Sequence, residues 1–156
     1  MKKNNMLDTV ILTLPQKDFF ISNLAEFGTT KREVLLSKTG FRKFVRNMTA
    51  KEKREGRYMP RITFFQRGMQ YLLKIEFSAP KLIYGNNLDE LREEEFDQVV
   101  LVLMKKLEGI KIKVSEEAIR EANISAFHPS KNIMLKSGYT AVAIIKEFSK
   151  INLSQK

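Results

Sequence analysis

The sequence predicts an α+β fold, an antiparallel sheet with helices packed on one face. Three patterns predict it. Short runs alternate apolar and polar residues, most cleanly Leu73-Lys74-Ile75-Glu76-Phe77-Ser78. Turn residues separate such runs closely enough to make hairpins. One long stripe at helical spacing, Leu88, Leu91, Phe96, Val99, Val100, Leu103 and Leu107, then interrupts the strands.

Leu7 to Leu14 is β-rich and stops at Pro15. Its two faces, Asp8-Val10-Leu12-Leu14 and Leu7-Thr9-Ile11-Thr13, both carry apolar residues, which predicts an interior strand. Gln16 to Phe27 has a rough 3.6-residue stripe and predicts a short helix ending at Gly28. Val34–Leu36 and Arg42–Val45 flank Lys38-Thr39-Gly40 as a first hairpin. Residues 46–60 hold few large apolar side chains together with Gly56 and Pro60, which predicts a mobile basic loop. Ile62–Gln66 and Gln70–Ser78 form a second hairpin around Arg67-Gly68-Met69.

After Ser78 an Ala-Pro pair ends the strand, Leu82 and Ile83 make an apolar patch, and Tyr84 to Asn87 turn into the long helix. Asn87 with Glu90 has capping-box spacing. Glutamates crowd the start of this helix and Lys105-Lys106 its end, the order that complements the helix dipole. Ile110–Val114 reads as a strand, Ser115 to Glu121 as a brief helix, and Asn123–Phe127 as a strand reaching His128 before Pro129. A last helix runs from about Ser137 or Thr140 to Ile151.

A chain of 156 residues suits a single domain with its own core. It has no cysteine, which excludes disulfides and thiolate metal sites. The longest apolar run, Val99–Met104, is far shorter than the roughly 20 residues that span a bilayer. Asp8 interrupts what would otherwise be the apolar centre of a leader, so a cytoplasmic location is expected.

The net charge of +10 is concentrated. Residues 31–67 hold twelve Lys/Arg against three Glu, while the segments on either side are near neutral. Clustered cations neutralise phosphates and release counterions, which points to nucleic acid. The candidate DNA-binding residues are Arg42, Lys43, Arg46, Lys51, Lys53, Arg54, Arg57, Arg61 and Arg67.

No glycine-rich phosphate loop, serine elbow or zinc motif occurs, and His128 is the only histidine. On an alternating strand His128 shares a face with Ile124 and Ala126. Glu76 stands opposite Leu73, Ile75 and Phe77 on its strand, either facing solvent or, with His128 on a neighbouring strand, offering a site for Mg²⁺ or Mn²⁺. Asp8 adds an oxygen if its strand lies beside that of Glu76. Nicking DNA would further need a nucleophile, for which Tyr139, at the start of the last helix, is the candidate.

Three segments, MLDTVILTLP, IEFSAPKLIYGNN and ISAFHPSKNIML, together resemble the filamentous-phage gene II type rolling-circle replication initiators of phages and plasmids, across Met6 to about Leu153. The resemblance implies a relaxase-like, ferredoxin-like endonuclease architecture. It also implies a metal at Glu76 and His128, DNA held by the basic region, and single-strand nicking through a tyrosine that keeps the 5′ phosphate. The histidine-hydrophobe-histidine motif of relaxase-like nucleases is reduced here to Ala126-Phe127-His128. Members of the family are commonly longer, so the chain is expected to match their amino-terminal part, with the nucleophilic tyrosine beyond Lys156. The alternative is a non-catalytic nucleic-acid-binding module that uses the basic loop and an open sheet face, with Phe64, Phe65 and Tyr71 for base stacking.

Overall fold

The architecture is that of a computed structural model, which describes residues 6–23, 27, 41–89 and 91–130. The chain opens with β1 (Met6–Pro15), the interior strand expected from its two apolar faces. It pairs antiparallel with β5 (Gln70–Ser78) on one side and with β7 (Asn123–Ser130) on the other. With β3 (Phe41–Arg46) and β4 (Arg61–Arg67), these make a five-stranded antiparallel sheet in the order β3-β4-β5-β1-β7. A second, two-stranded sheet joins β2 (Phe19–Ile21) to β6 (Ile112–Val114).

Alternation decides which sheet face is buried. Val10, Leu12 and Leu14 of β1, Ile62 and Phe64 of β4, and Leu73, Ile75 and Phe77 of β5 all lie in the core. Val99, Val100, Leu103 and Leu107 of α3 (Phe96–Gly109) complete it. The fold class is therefore α+β, as the sequence predicts. β4 and β5 are joined by a two-residue turn, Gly68-Met69, with Arg67 in register with Gln70 and Gly68 at φ 59°. Among the described residues no helix is long and apolar enough to cross a membrane.

The structure corrects five local expectations. Gln16 to Phe27 does not begin as a helix: one 3-10 turn (Gln16–Asp18) leads into β2, whose alternating pattern turns Phe19 inward and leaves Phe20 exposed. Backbone pairing with β6 and the packing of Phe19 edge-on against Phe64, 6.1 Å between centroids, outweigh a weak apolar stripe. The segment 46–60 is not a loop throughout, since it contains the helix α1 (Ala50–Arg54). The Ala-Pro pair after β5 starts a helix instead of only ending a strand. In α2 (Ala79–Tyr84) Pro80 occupies the first turn, where its missing N–H costs nothing.

The long helix begins eight residues later than Asn87 would place it, at Phe96 after a 3-10 turn (Glu93–Glu95). Asn86 is the reason. Its Oδ1 accepts from Leu88 N at 2.8 Å and Asp89 N at 3.1 Å, a local turn that competes with helix. Leu88 is accordingly exposed. A short helix, α4 (Glu116–Arg120), precedes β7 as expected. A register shift in β7 pairs Ala126 with Ile11 but Ile124 with Leu12, so Ile124 leaves the face of Ala126 and His128. The first predicted hairpin turn, the last helix and Tyr139 lie outside the described residues.

Candidate nucleic-acid cleft

A cleft of about 670 Å³ opens at the end of the sheet where β1 and β4 begin and β5 finishes. Asp8, Tyr58, Glu76 and Ser78 line it, with Lys53, Arg61 and Lys81 among the surrounding residues. Each is placed by an element already described. Glu76 is in register with Ile11 on one side and Arg61 on the other, so the β4 and β5 side chains meet across the strands. Arg61 Nη1 lies 3.8 Å from Glu76 Oε2.

Ser78 organises the floor. It is buried, caps α2 by accepting from Lys81 N at 3.4 Å, and lies 3.1 Å from Asp8 Oδ1 and 2.9 Å from Asn87 Oδ1. Its single hydroxyl proton serves one of those two acceptors at a time. The Ser78 backbone N–H donates to the Tyr58 hydroxyl at 2.6 Å. Burial pushes the Tyr58 phenol above its ordinary value, and the charges of Asp8 and Glu76 push the same way against the Ser78 hydrogen bond. The two carboxylates therefore act on one point. Replacing Tyr58 with Phe leaves the Ser78 N–H without that acceptor and is expected to cost about 1–3 kcal/mol in urea unfolding.

The cations that line the cleft are Lys53 of α1, Arg61 of β4 and Lys81 of α2, and the other candidate cations are not among its lining residues. Thr49 and Glu52 form a reciprocal capping box, with Thr49 N to Glu52 Oε2 at 2.8 Å and Glu52 N to Thr49 Oγ1 at 3.2 Å. That box makes a helix of a lysine-rich stretch, and Lys51, Lys53 and Arg54 stand exposed on it. Arg57 is exposed and paired with Glu55. Lys43 is half-buried, its Nζ 5.7 Å from the centre of the Phe65 ring. Arg42 and Arg67 belong to β3 and β4, in register with Gln66 and with Phe41.

Arg46 is different. It is only 5% exposed and its Nη2 donates to Glu52 Oε1 at 2.6 Å, so it holds α1 to the sheet and is removed from the set of DNA-facing cations. It ends β3 in register with the core residue Ile62, and that face is not solvent. Phe64 is likewise buried, with Tyr71 stacked on it at 5.5 Å, which removes it from the base-stacking set.

Of the three expected metal-site residues, Asp8 and Glu76 share the cleft. His128 does not line it: it is exposed and in register with Thr9, on the side of β1 away from β5. Among the described residues no group of three or more His, Asp or Glu side chains is placed to hold a metal. The cleft lining carries oxygen groups of Asp8, Thr9, Asn47, Tyr58, Glu76, Ser78 and Asn87 beside the thioethers of Met48 and Met59. Asp8 and Glu76 are its two carboxylates, against the three cations Lys53, Arg61 and Lys81, and Glu76 faces Arg61.

No family profile, curated protein or solved structure matches the chain. Sequence reasoning missed Tyr58, Ser78 and Lys81 as site residues. Ser78 and Lys81 had a signal, since Ser followed by Pro two residues on marks a helix start. Tyr58 had none, because its role depends on which strand ends lie beside it.

Proposed function

We propose that this chain is a DNA-binding replication initiator domain of phage or plasmid rolling-circle replication, acting in the cytoplasm and nicking a single strand. The observation that carries the reading is that Asp8 and Glu76 both line a cleft rimmed by Lys53, Arg61 and Lys81. Lys53 and Lys81 have no ion pair among the described residues. They supply positive charge where a DNA backbone would enter.

Asp8 and Glu76 would hold the divalent ion, whose chemistry is to polarise the scissile phosphate. Ser78 fixes Asp8 by its hydroxyl, and Tyr58 ties the end of β5 in place. Lys53, Arg61 and Lys81 orient the phosphates. The tyrosine that takes the 5′ end is Tyr139 or one outside this chain. Support also comes from the resemblance of the three sequence segments to gene II type initiators.

A second reading, a binding module without catalysis, is favoured by one observation. The charged side chains lining the cleft are three cations and two carboxylates, with Glu76 already facing Arg61, so a phosphate finds net positive charge without any metal. Supercoiled origin DNA with Mn²⁺ separates the two. The initiator reading expects open circles, reduced about a hundredfold or more by Asp8→Ala and by Glu76→Ala. Equal nicking by both variants overturns the carboxylate assignment. Salt-sensitive DNA binding with no nicking selects the binding module.

A further inference from the structure

We infer that Phe20, on the ribbon of β2 and β6, is the stacking surface of a pocket that takes one unpaired nucleobase from a single strand. The inference rests on the nucleic-acid reading of the cleft and adds a second contact, one that distinguishes single strands from duplex.

The pocket holds about 200 Å³ and is lined by Gln16, Phe19, Phe20, Ile21, Phe64 and Tyr71. Pockets for larger organic ligands hold roughly 300–1,000 Å³, so this one suits a single flat ring system. Alternation along β2 turns Phe19 and Ile21 toward the core. Phe64 is the buried floor, with Tyr71 stacked on it and Phe19 edge-on. Phe20 is the ring left to solvent, 62% exposed. Two polar groups accompany the rings, the Gln16 amide and the Tyr71 hydroxyl. That hydroxyl accepts from Gln66 Nε2 at 3.1 Å and keeps its own proton to donate. Both groups suit the edge of an unstacked base.

An exposed phenylalanine alone is ordinary. The charges around this one point to its ligand. Phe20 is in register with Lys113 across the ribbon, so the two side chains share a face. Lys17, Lys111 and Lys113 are all exposed, against the half-buried Asp18. None of the three lysines has an ion pair among the described residues. An open ring flanked by cations matches a base carried on its phosphates, whereas an aromatic side chain of a protein would use the ring alone. A base inside a duplex would first have to leave its stack, so the pocket selects single strands. Tyr71 lines the pocket and Ser78 the cleft, at opposite ends of β5 and about 24 Å apart along it. A strand long enough to span them engages both.

The test is fluorescence anisotropy with a mixed-sequence oligonucleotide, single-stranded or annealed to its complement, over a salt series. Phe20→Ala is expected to weaken single-strand binding about five- to hundredfold, the worth of one stacked base, with the salt slope unchanged. Duplex binding is expected to stay as in the wild type. Phe20→Tyr keeps a ring and is expected to restore single-strand affinity. Lys113→Gln is expected to flatten the single-strand plot of log affinity against log salt by about 0.7, one phosphate contact.

The base pocket is overturned by full single-strand affinity in Phe20→Ala, by an equal loss on duplex, by failure of Phe20→Tyr to restore binding, or by an unchanged slope in Lys113→Gln. In each of those cases salt-sensitive binding leaves the DNA reading standing. Absence of salt-sensitive binding in wild type and variants, each folded by circular dichroism, overturns both.

Discussion

Replacing Glu52 with alanine is expected to destabilise the protein by about 3–5 kcal/mol, the range for a buried ion pair that loses one member. Arg46 is almost fully buried, and among the described residues its Nε and Nη1 have no hydrogen-bond partner. Glu52 is its carboxylate, so the variant leaves a cation under α1 with no counter-charge opposite it among the described residues. The same change removes the acceptor for Thr49 N and half of the capping box. Urea unfolding measures the loss. Arg46→Met in the Glu52→Ala background is expected to recover part of it, because an apolar side chain of similar length needs no counter-charge. A double variant no more stable than Glu52→Ala would mean that the cap, not the charge, dominates.

The same pair gives an acid limb. Burial alone would push Glu52 up, but the Thr49 N–H and Arg46 together outweigh it and hold the carboxyl below its ordinary 4.5. A carboxyl depressed in the folded state binds fewer protons there than in the unfolded chain. Its stabilisation is therefore complete above pH 4.5 and is lost as pH falls through the folded value. Glu52→Gln is expected to flatten that limb.

Ile75→Ala carries the second large effect, about 2–5 kcal/mol, read from the same urea transitions. Ile75 is fully buried and in register with Leu12 on one side and Ile62 on the other, so the lost volume lies within the sheet's packed face. Leu72, on the opposite face of the same strand and 44% exposed, provides the contrast. Its replacement by alanine is expected to change stability by only about 0.5 kcal/mol. Similar costs at both positions would contradict the assignment of faces.

That assignment was legible in the sequence. Strict alternation from Leu73 to Ser78 identifies both faces of β5, and apolar residues on both faces of β1 identify an interior strand. β1 and β5 are adjacent, the condition set for Asp8, and Asp8 and Glu76 both line one cleft. What alternation cannot supply is strand order. His128 has the same pattern whether its strand lies next to β5 or beyond β1, and it lies beyond.

Charge counting failed at Arg46 for a related reason. A run of cations says nothing about which residue turns inward, and the end of β3 turns this one onto the core. The helices α1 and α2 were missed because each has five or six residues, too few to show a period, and their signals are confined to their first turns, Thr49 with Glu52 and Ser78 with Pro80.

The sheet order also governs how the molecule comes together in time. β4 and β5 meet across a two-residue turn, a local event on the microsecond scale. β1 is synthesised first yet is completed last, because its second neighbour is β7. Thr13 and Ser125, hydrogen-bonded across that seam, are 112 positions apart. Until β7 emerges, one edge of β1 has no strand beside it, and the loop to be closed is nearly as long as the described chain. Closing the β1–β7 seam is thus the slow step expected in refolding, and the nascent chain is most exposed to wrong pairing between the emergence of β5 and that of β7.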